Sequence, residues 1–304
     1  MTFQKDSSPH RWFSVTVAFE QPFEEDSWEF FVHLALEQGA QGCSEKDQGG
    51  DFFFSTEFTS EEEAKALLWN LAETLRLPTP ILNLYPVNPK EWISRAAEHY
   101  HARVVSKRIA VGPVEERELF LSNLKSEQST VHYIAVEFGE AFGTGTHPTT
   151  VLCLQFLEQF PQPFKKVLDF GSGTGVLAFA GLKLGAEEVV CIDCSTAAEE
   201  IHHRNAVENG LEEECHFLLS DSPTAAEKFG KFDLILCNML LAEVEPHLPE
   251  LARFGCPVIY SGILEDQLPE AISLFVAQGL VCSEHAFLEE WAGILFHPFH
   301  QIAT

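Results

Sequence analysis

Apolar and polar positions near the start of the chain follow two periods. Residues 12–20 (WFSVTVAFE) alternate and are rich in β-formers, which predicts a strand. Residues 26–38 (DSWEFFVHLALEQ) repeat apolar positions at helical spacing behind an Asp-Ser start, which predicts a helix. A short strand near 40–44 follows, then a glycine turn and a strand in FFFSTEF (52–58). Thr59-Ser60 and three glutamates open AKALLWNLAETL, an acidic first turn that suits the helix dipole, and ILNLYPV (81–87) closes the set. The order β-α-β-β-α-β predicts a ferredoxin-like α+β domain over 1–88. No cluster of catalytic residue types falls inside it, so it reads as a recognition module.

Pro86 to Pro89 breaks the pattern, and KEWISRAAEHYH (90–101) predicts a linker helix within 89–102. Residues 103–140 read as short strands with a polar turn. From 165 onward the chain alternates strand with helix: KKVLDF, VLAFAGLKL, EVVCID, TAAEEIHHRNAVENG, CHFLLSD, FDLILCN, an acidic helix reaching about Arg253, CPVIYSGI and DQLPEAISLFVAQG. LVCSEHAFLE and EWAGILFHP are joined tightly enough for an antiparallel hairpin. Repeated βα units predict a parallel sheet covered on both faces, here over 103–304.

Charge changes the picture in one respect. The net charge is −27, with acidic excess on both sides of residue 88. Such a field repels nucleic acid phosphates and attracts basic protein partners. The opening MTFQKDSSPHRW is polar and the apolar runs are too short for a bilayer span, so we expect a cytoplasmic protein with no membrane or nucleic acid partner. Eight cysteines are present, and only Cys191 and Cys194 have C-x-x-C spacing. Without a second pair, and with His202-His203 and His297/His300 lacking partners at convincing spacing, no metal site is expected.

The candidate chemistry lies at the strand ends. Asp169-Phe-Gly171-Ser-Gly173-Thr-Gly175 ends one predicted strand and opens a helix, where open α/β sheets bind nucleotide-like ligands. Val176 stands where the third glycine of a dinucleotide fingerprint belongs, and no Lys-Ser/Thr pair makes a P-loop. The loop therefore suits a nucleoside without a phosphate to cradle, with Asp169 receiving an ammonium group directly or through water. Asp193, at the next strand end, suits the two hydroxyls of a ribose. Asn238, at the fourth strand end, faces the same crevice, and its carbonyl oxygen can accept an N–H from an incoming amine. Helix capping is the plainer alternative for Asn238. Together these residues fit S-adenosylmethionine better than NAD.

The stretch AFGTGTHPTT (141–150), with LDFGSGTGVLAFA, CID, NMLLAEVEPHLPELA, YSGILEDQ and a late EEW, resembles the ribosomal protein L11 methyltransferase family (PrmA). The resemblance runs from about Trp92 to Trp291, and FGTGTHPTT is its most specific part. It implies a class I S-adenosylmethionine-dependent methyltransferase domain, Rossmann-like with a seven-stranded sheet, behind a substrate-recognition domain and a linker helix. It also implies methyl transfer to lysine ε-amines and the N-terminal α-amine of a basic large-subunit ribosomal protein, by an enzyme we expect to be monomeric. The family's cofactor contacts carry over onto Thr150, Gly171, Asp193 and Asn238, of which Thr150 and Asn238 are also the candidate catalytic residues. Asp169, Gly173, Gly175 and Thr144 complete the candidate cofactor set. His147 is expected to start a helix, with substrate contact as the alternative. The chain departs from the family pattern at Ser172, at Ser195-Thr196 and at Met239-Leu240. Two other readings stay open here: a class I methyltransferase acting on another protein or a small amine, and a non-catalytic cofactor-binding scaffold.

Overall fold

The computed structural model describes residues 12–23, 27–28, 31–32, 34–35, 38–40, 42–46, 48–55, 59–87, 100–124, 130–137, 143–160 and 164–299. The chain divides into two compact units, Met1–Arg95 and Ala96–Thr304. The expected linker helix falls almost wholly outside the described residues, and its described end, 100–102, is not helical.

In the first unit, β1 (Trp12–Ala18), β2 (Gly42–Lys46), β3 (Gly49–Ser55) and β4 (Ile81–Val87) form an antiparallel sheet in the order β2-β3-β1-β4. Helix α1, seen in Ser27, Trp28, Phe31, Val32, Leu34 and Ala35, and helix α2 (Glu61–Thr74) complete the β-α-β-β-α-β sandwich. The expected glycine turn before β3 is partly strand: pairing between β2 and β3 runs to Lys46 opposite Gly49, so Gly49 and Gly50 join the ladder. Phe13, Val15 and Val17 recur at the period of two that puts side chains on one face of β1, and they meet Phe31, Phe52, Phe54 and Leu68 in the core. Ser60 caps α2 reciprocally: its N–H donates to Glu63 Oε2 at 2.9 Å, and its Oγ accepts from the Glu63 N–H at 3.3 Å.

The second unit begins with a small sheet, β5 (Arg103–Val104), β6 (Ile109–Gly112) and β7 (His132–Ala135). Between β6 and β7 the chain forms a helix, α3 (Arg117–Asn123), where only strands and a turn were expected. Pro113 and the acidic Glu115-Glu116 turn lead into it, a helix start that strand periodicity conceals.

The main sheet has seven strands: β8 (Lys166–Phe170), β9 (Glu188–Asp193), β10 (Cys215–Leu219), β11 (Leu234–Asn238), β12 (Val258–Leu264), β13 (Leu280–Leu288) and β14 (Trp291–Pro298). Their order is β10-β9-β8-β11-β12-β14-β13, parallel except that β14 runs antiparallel to both neighbours. This is the Rossmann-like sheet expected of a class I methyltransferase. The helices are α4 (Pro148–Gln159), α5 (Val176–Lys183), α6 (Thr196–Asn209), α7 (Leu241–Val244), α8 (Leu248–Arg253) and α9 (Leu268–Ala277). Val167 and Leu168, adjacent in β8, belong to separate apolar clusters, so both faces of the sheet are covered. The acidic helix expected after β11 is split into α7 and α8, because Pro246 and Pro249 interrupt it.

Candidate active site

The strand order reverses at β8, whose neighbours are β9 and β11, and the loops after these strands meet at that switch point. Gly171, Gly173 and Gly175 leave β8 with φ of 75°, 52° and 88°. Gly175 caps α5 in the left-handed region, and a Cβ there would stand 2.6 Å from both His202 and Phe179. The amides of Gly171 and Ser172 donate to Ile192 O at 2.9 and 3.1 Å, which ties the loop to the end of β9.

Asp193 grips the same loop. Its Oδ2 accepts the Gly173 N–H at 2.9 Å, and its Oδ1 accepts the Ser195 N–H at 2.9 Å. Ser195 caps α6 by accepting from the Ala198 N–H at 3.3 Å, so the departure from the family pattern here keeps a capping side chain.

Asn238 ends β11 half-buried, and its Nδ2 donates to Thr150 Oγ1 at 3.2 Å. The carbonyl Oδ1 of Asn238 has no hydrogen-bond partner among the described residues. Thr150 sits in the first turn of α4, is fully buried, and stands behind the amide. His147 caps α4: its Nδ1 accepts the Thr149 N–H at 3.3 Å. Burial lowers the His147 pKa and keeps the ring neutral, with Glu290 and Glu289 opposing the shift, and its ring meets Trp291 edge-on at 4.8 Å.

Ala141 and Phe142 of the glycine-threonine loop lie outside the described residues. The rest is fastened at two points. Tyr100 Oη donates to Thr144 O at 2.8 Å, and Thr174 Oγ1 donates to Gly143 O. Thr144 Oγ1 lies 3.2 Å from Thr146 Oγ1. Because Thr174 belongs to the loop after β8, the two glycine-rich loops are joined directly.

Asp169 is enclosed rather than lining open space. It is 1% exposed, and neither carboxylate oxygen completes a hydrogen bond. Burial raises its pKa to about 7, against a weaker opposing pull from His202; Ser172 and the Ala178 amide act on it more weakly still, from outside ordinary hydrogen-bond geometry. Such an orphan calls for a proton, a water or a cationic partner.

Three residues of the site carried no signal in the spacing. Met239 packs on Gly171, where a Cβ would come within 2.5 Å of its side chain. Gly262, at φ 105° in the bulge of β12, lets the Met239 backbone pass, since a Cβ there would stand 2.3 Å from Met239 O. Trp291 starts β14 beside His147. The Met239-Leu240 and EEW motifs pointed at the neighbourhood without assigning these contacts. The C-x-x-C pair does not act as one: Cys191 is buried and Cys194 exposed. Of the adjacent histidines, His202 is buried and His203 is exposed.

The comparisons with known proteins agree with one another. A family model described as "Ribosomal protein L11 methyltransferase (PrmA)" matches residues 14–298. A ribosomal protein L11 methyltransferase from Synechococcus elongatus is 30% identical over 304 residues, covering 91% of this chain and 99% of the relative. One from Shewanella sp. (strain ANA-3) is 35% identical over 209 residues, covering 68% of this chain and 67% of the relative. The crystal structure of a ribosomal protein L11 methylase from Lactobacillus delbrueckii subsp. bulgaricus superposes with a TM-score of 0.57 at 28% identity, over 66% of this chain and 99% of that one. With its switch-point glycine loop, its amide at the fourth strand end and a match over nearly its whole length, the chain belongs to the ribosomal protein L11 methyltransferase family, enzymes that use S-adenosylmethionine.

Proposed function

We propose that this enzyme methylates the lysine ε-amines and N-terminal α-amine of ribosomal protein L11, and that Asn238 aims the acceptor nitrogen. The observation that carries this is the Asn238–Thr150 bond. With Nδ2 committed to Thr150 Oγ1, the amide keeps Oδ1, an acceptor, for an incoming N–H. A carbonyl oxygen there accepts an N–H from a neutral amine and turns the nitrogen lone pair toward an electrophile. Thr150 acts through Asn238, by fixing which way the amide points.

The residues around the glycine loop fit S-adenosylmethionine. Asp169 is an orphaned buried carboxylate suited to the cofactor's ammonium end through water. Asp193 closes the opposite side, where a ribose would exchange with its loop contacts. Gly171, Gly173 and Gly175 shape the floor, and Thr144 belongs to the loop tied over it. When bound, the cofactor supplies an activated methyl group for in-line displacement. The protein's part is to hold the acceptor in line and to accept it neutral. A lysine ammonium, with a reference pKa of about 10.4, must first lose a proton, and we assign that loss to solvent.

Residues 1–88 serve as the recognition domain in this reading, joined through 89–102 to the methyltransferase domain 103–304. The net charge of −27 favours a basic ribosomal protein as partner and disfavours direct nucleic acid contact. The same reading has the enzyme acting in the cytoplasm as a monomer; among the described residues, no helix is long and apolar enough to cross a membrane.

The decisive experiment incubates the enzyme with radiolabelled S-adenosylmethionine and purified ribosomal protein L11, against free lysine and other basic proteins. Label is expected in the ribosomal protein above all controls. Cofactor binding without label in that protein sinks the substrate assignment. A chain lacking residues 1–88 should bind cofactor and lose protein methylation; full activity without them refutes the recognition role.

A further inference from the structure

Beneath the glycine loop, two strands and a helix bring soft ligand atoms together. Cys191 in β9, Cys215 in β10 and His202 in α6 are all buried, and their Sγ, Sγ and Nε2 atoms lie within 4.8 Å of one another. Cys215 Sγ stands 3.4 Å from Cys191 Sγ and 3.3 Å from His202 Nε2. On its other side the imidazole meets Ser172 Oγ, 3.3 Å from Nδ1.

Strand register explains the convergence. Asp169 pairs with Cys191 across β8 and β9, and Cys191 pairs with Phe217, two residues beyond Cys215 in β10. Side chains so related share one face of a parallel sheet. Helix α6 returns over that face and lowers His202 onto it. Asp169, fully buried and unpartnered, stands on the same face but outside that cluster.

We propose that Cys191, His202 and Cys215 form a site for zinc or a closely similar thiophilic cation, held by these three side chains. Thiolate and imidazole together select zinc-like ions over hard cations. A tetrahedral zinc with sulfur at about 2.3 Å and nitrogen at about 2.05 Å separates two sulfurs by about 3.8 Å and sulfur from nitrogen by about 3.5 Å. The two short edges of the cluster, 3.4 and 3.3 Å, are within a few tenths of those values. The longest edge, up to 4.8 Å, has to contract by about 1.3 Å to reach that sulfur–nitrogen separation. The site is sealed, which makes it a brace between β9, β10 and α6 rather than a reaction centre. Through Ser172 it also touches the glycine loop.

The test uses the full chain, reduced and stripped of metal by a chelator, then titrated with cobalt(II) and afterwards zinc(II). One equivalent of cobalt should raise a thiolate-to-metal charge-transfer absorption, zinc should discharge it, and the melting temperature should rise with metal. Cys191→Ser and Cys215→Ser should each abolish the absorption, while Cys194→Ser and Cys282→Ser keep it. X-ray absorption on the zinc form of the unaltered chain should find two sulfur neighbours, a readout that stands even when the serine variants do not fold. The proposal is overturned by a metal shell without sulfur, by no stoichiometric absorption, or by absorption that survives both serine changes at 191 and 215. A Cys191–Cys215 disulfide forming in preference to metal uptake overturns it as well. None of these readouts depends on methyl transfer, so failure here and failure of the substrate assignment are separable.

Discussion

The two units of this chain bury different chemistry. Among the described residues, Ser14 is the one buried polar side chain of the first unit, and its core is Phe13, Phe31, Phe52, Phe54 and their aliphatic neighbours. The second unit buries Ser106, Thr149, Thr150, Asp169, Ser172, Thr174, His202, Asn205, Asn209 and Ser261. Burying a polar group is costly unless it is hydrogen-bonded, so each of these needs a reason. Most have a structural one. Asn209 donates to Ala135 O at 2.7 Å and accepts the Ala135 N–H at 2.9 Å, and Asn205 accepts the Glu137 N–H at 2.8 Å and donates to Thr174 O at 3.0 Å. These two amides fasten β7 and the chain after it to α6. Asp169 has no such account, and it sits where the cofactor and the proposed metal site adjoin. The contrast teaches that buried polarity alone does not mark a functional site: most of it braces the fold, and Asp169 is the buried carboxylate left without a partner beside the glycine loop.

The largest effect is expected in the apolar unit. Phe52→Ala removes a fully buried ring that packs on Phe31 at 5.5 Å and Trp28 at 5.8 Å. It should cost about 3–5 kcal/mol in the unfolding of that unit, read by denaturant titration. Cofactor affinity should not change, because the unit carries none of the candidate site. A matching loss of cofactor binding would erase the division of labour between the units.

Next is Asn238→Ala. If the amide aims the acceptor, kcat falls about 100-fold or more, while the cofactor dissociation constant, measured by calorimetry, moves only a few-fold. Lost cofactor binding with a normal rate at saturation would make Asn238 a binding residue instead. Thr150→Val, which keeps the shape and removes the acceptor for Nδ2, should give a smaller drop in kcat and mostly spare the cofactor affinity.

How far the site could be read from the chain depends on how local its parts are. Gly171, Gly173, Gly175 and Asp193 stand in motifs that also fix their backbone, and the structure places them at the same switch point. The Asn238–Thr150 bond joins residues 88 apart, so no spacing rule announces it. The cluster of Cys191, His202 and Cys215 escaped for the same reason: its members stand on a strand, a helix and the next strand, and the C-x-x-C motif pointed to Cys194, which is exposed. The fold was more legible because alternation and helical spacing are local. It failed at α3, where a short helix follows a proline and two glutamates, and after β11, where two prolines cut one expected helix into pieces.

Asn209→Ala tests the satisfied half of the comparison. Removing its side chain leaves the Ala135 amide and carbonyl unpaired in a buried place, at about 1–3 kcal/mol in stability. Asn209 is distant in role from the glycine loop, so cofactor affinity in the folded protein should hold. A large affinity change would show that the bracing of β7 reaches the cofactor site.

Asp169→Asn tests the unsatisfied half, with the smallest expected effect from one pH unit to the next and the clearest sign. Burial raises the carboxyl's pKa in the folded chain from 3.8 to about 7, so the folded state holds a proton that the unfolded state has released. Stability then falls as pH rises from about 4 toward about 7 and levels off above it, because the unfolded state binds fewer protons in that window. Asparagine carries no such proton. In metal-free protein the variant should therefore gain on the parent chain between pH 4 and pH 7, by about 1.4 kcal/mol per pH unit at most. The quantity to follow is the difference in denaturation midpoint between the two proteins at each pH, which cancels every other titrating group. Adding S-adenosylmethionine should shrink the difference, since a nearby ammonium gives the ionised carboxylate a partner, and the variant should bind that cofactor more weakly. A difference that stays flat with pH would mean that Asp169 is already satisfied in solution, and the contrast between the two kinds of buried polar group would dissolve at its central residue.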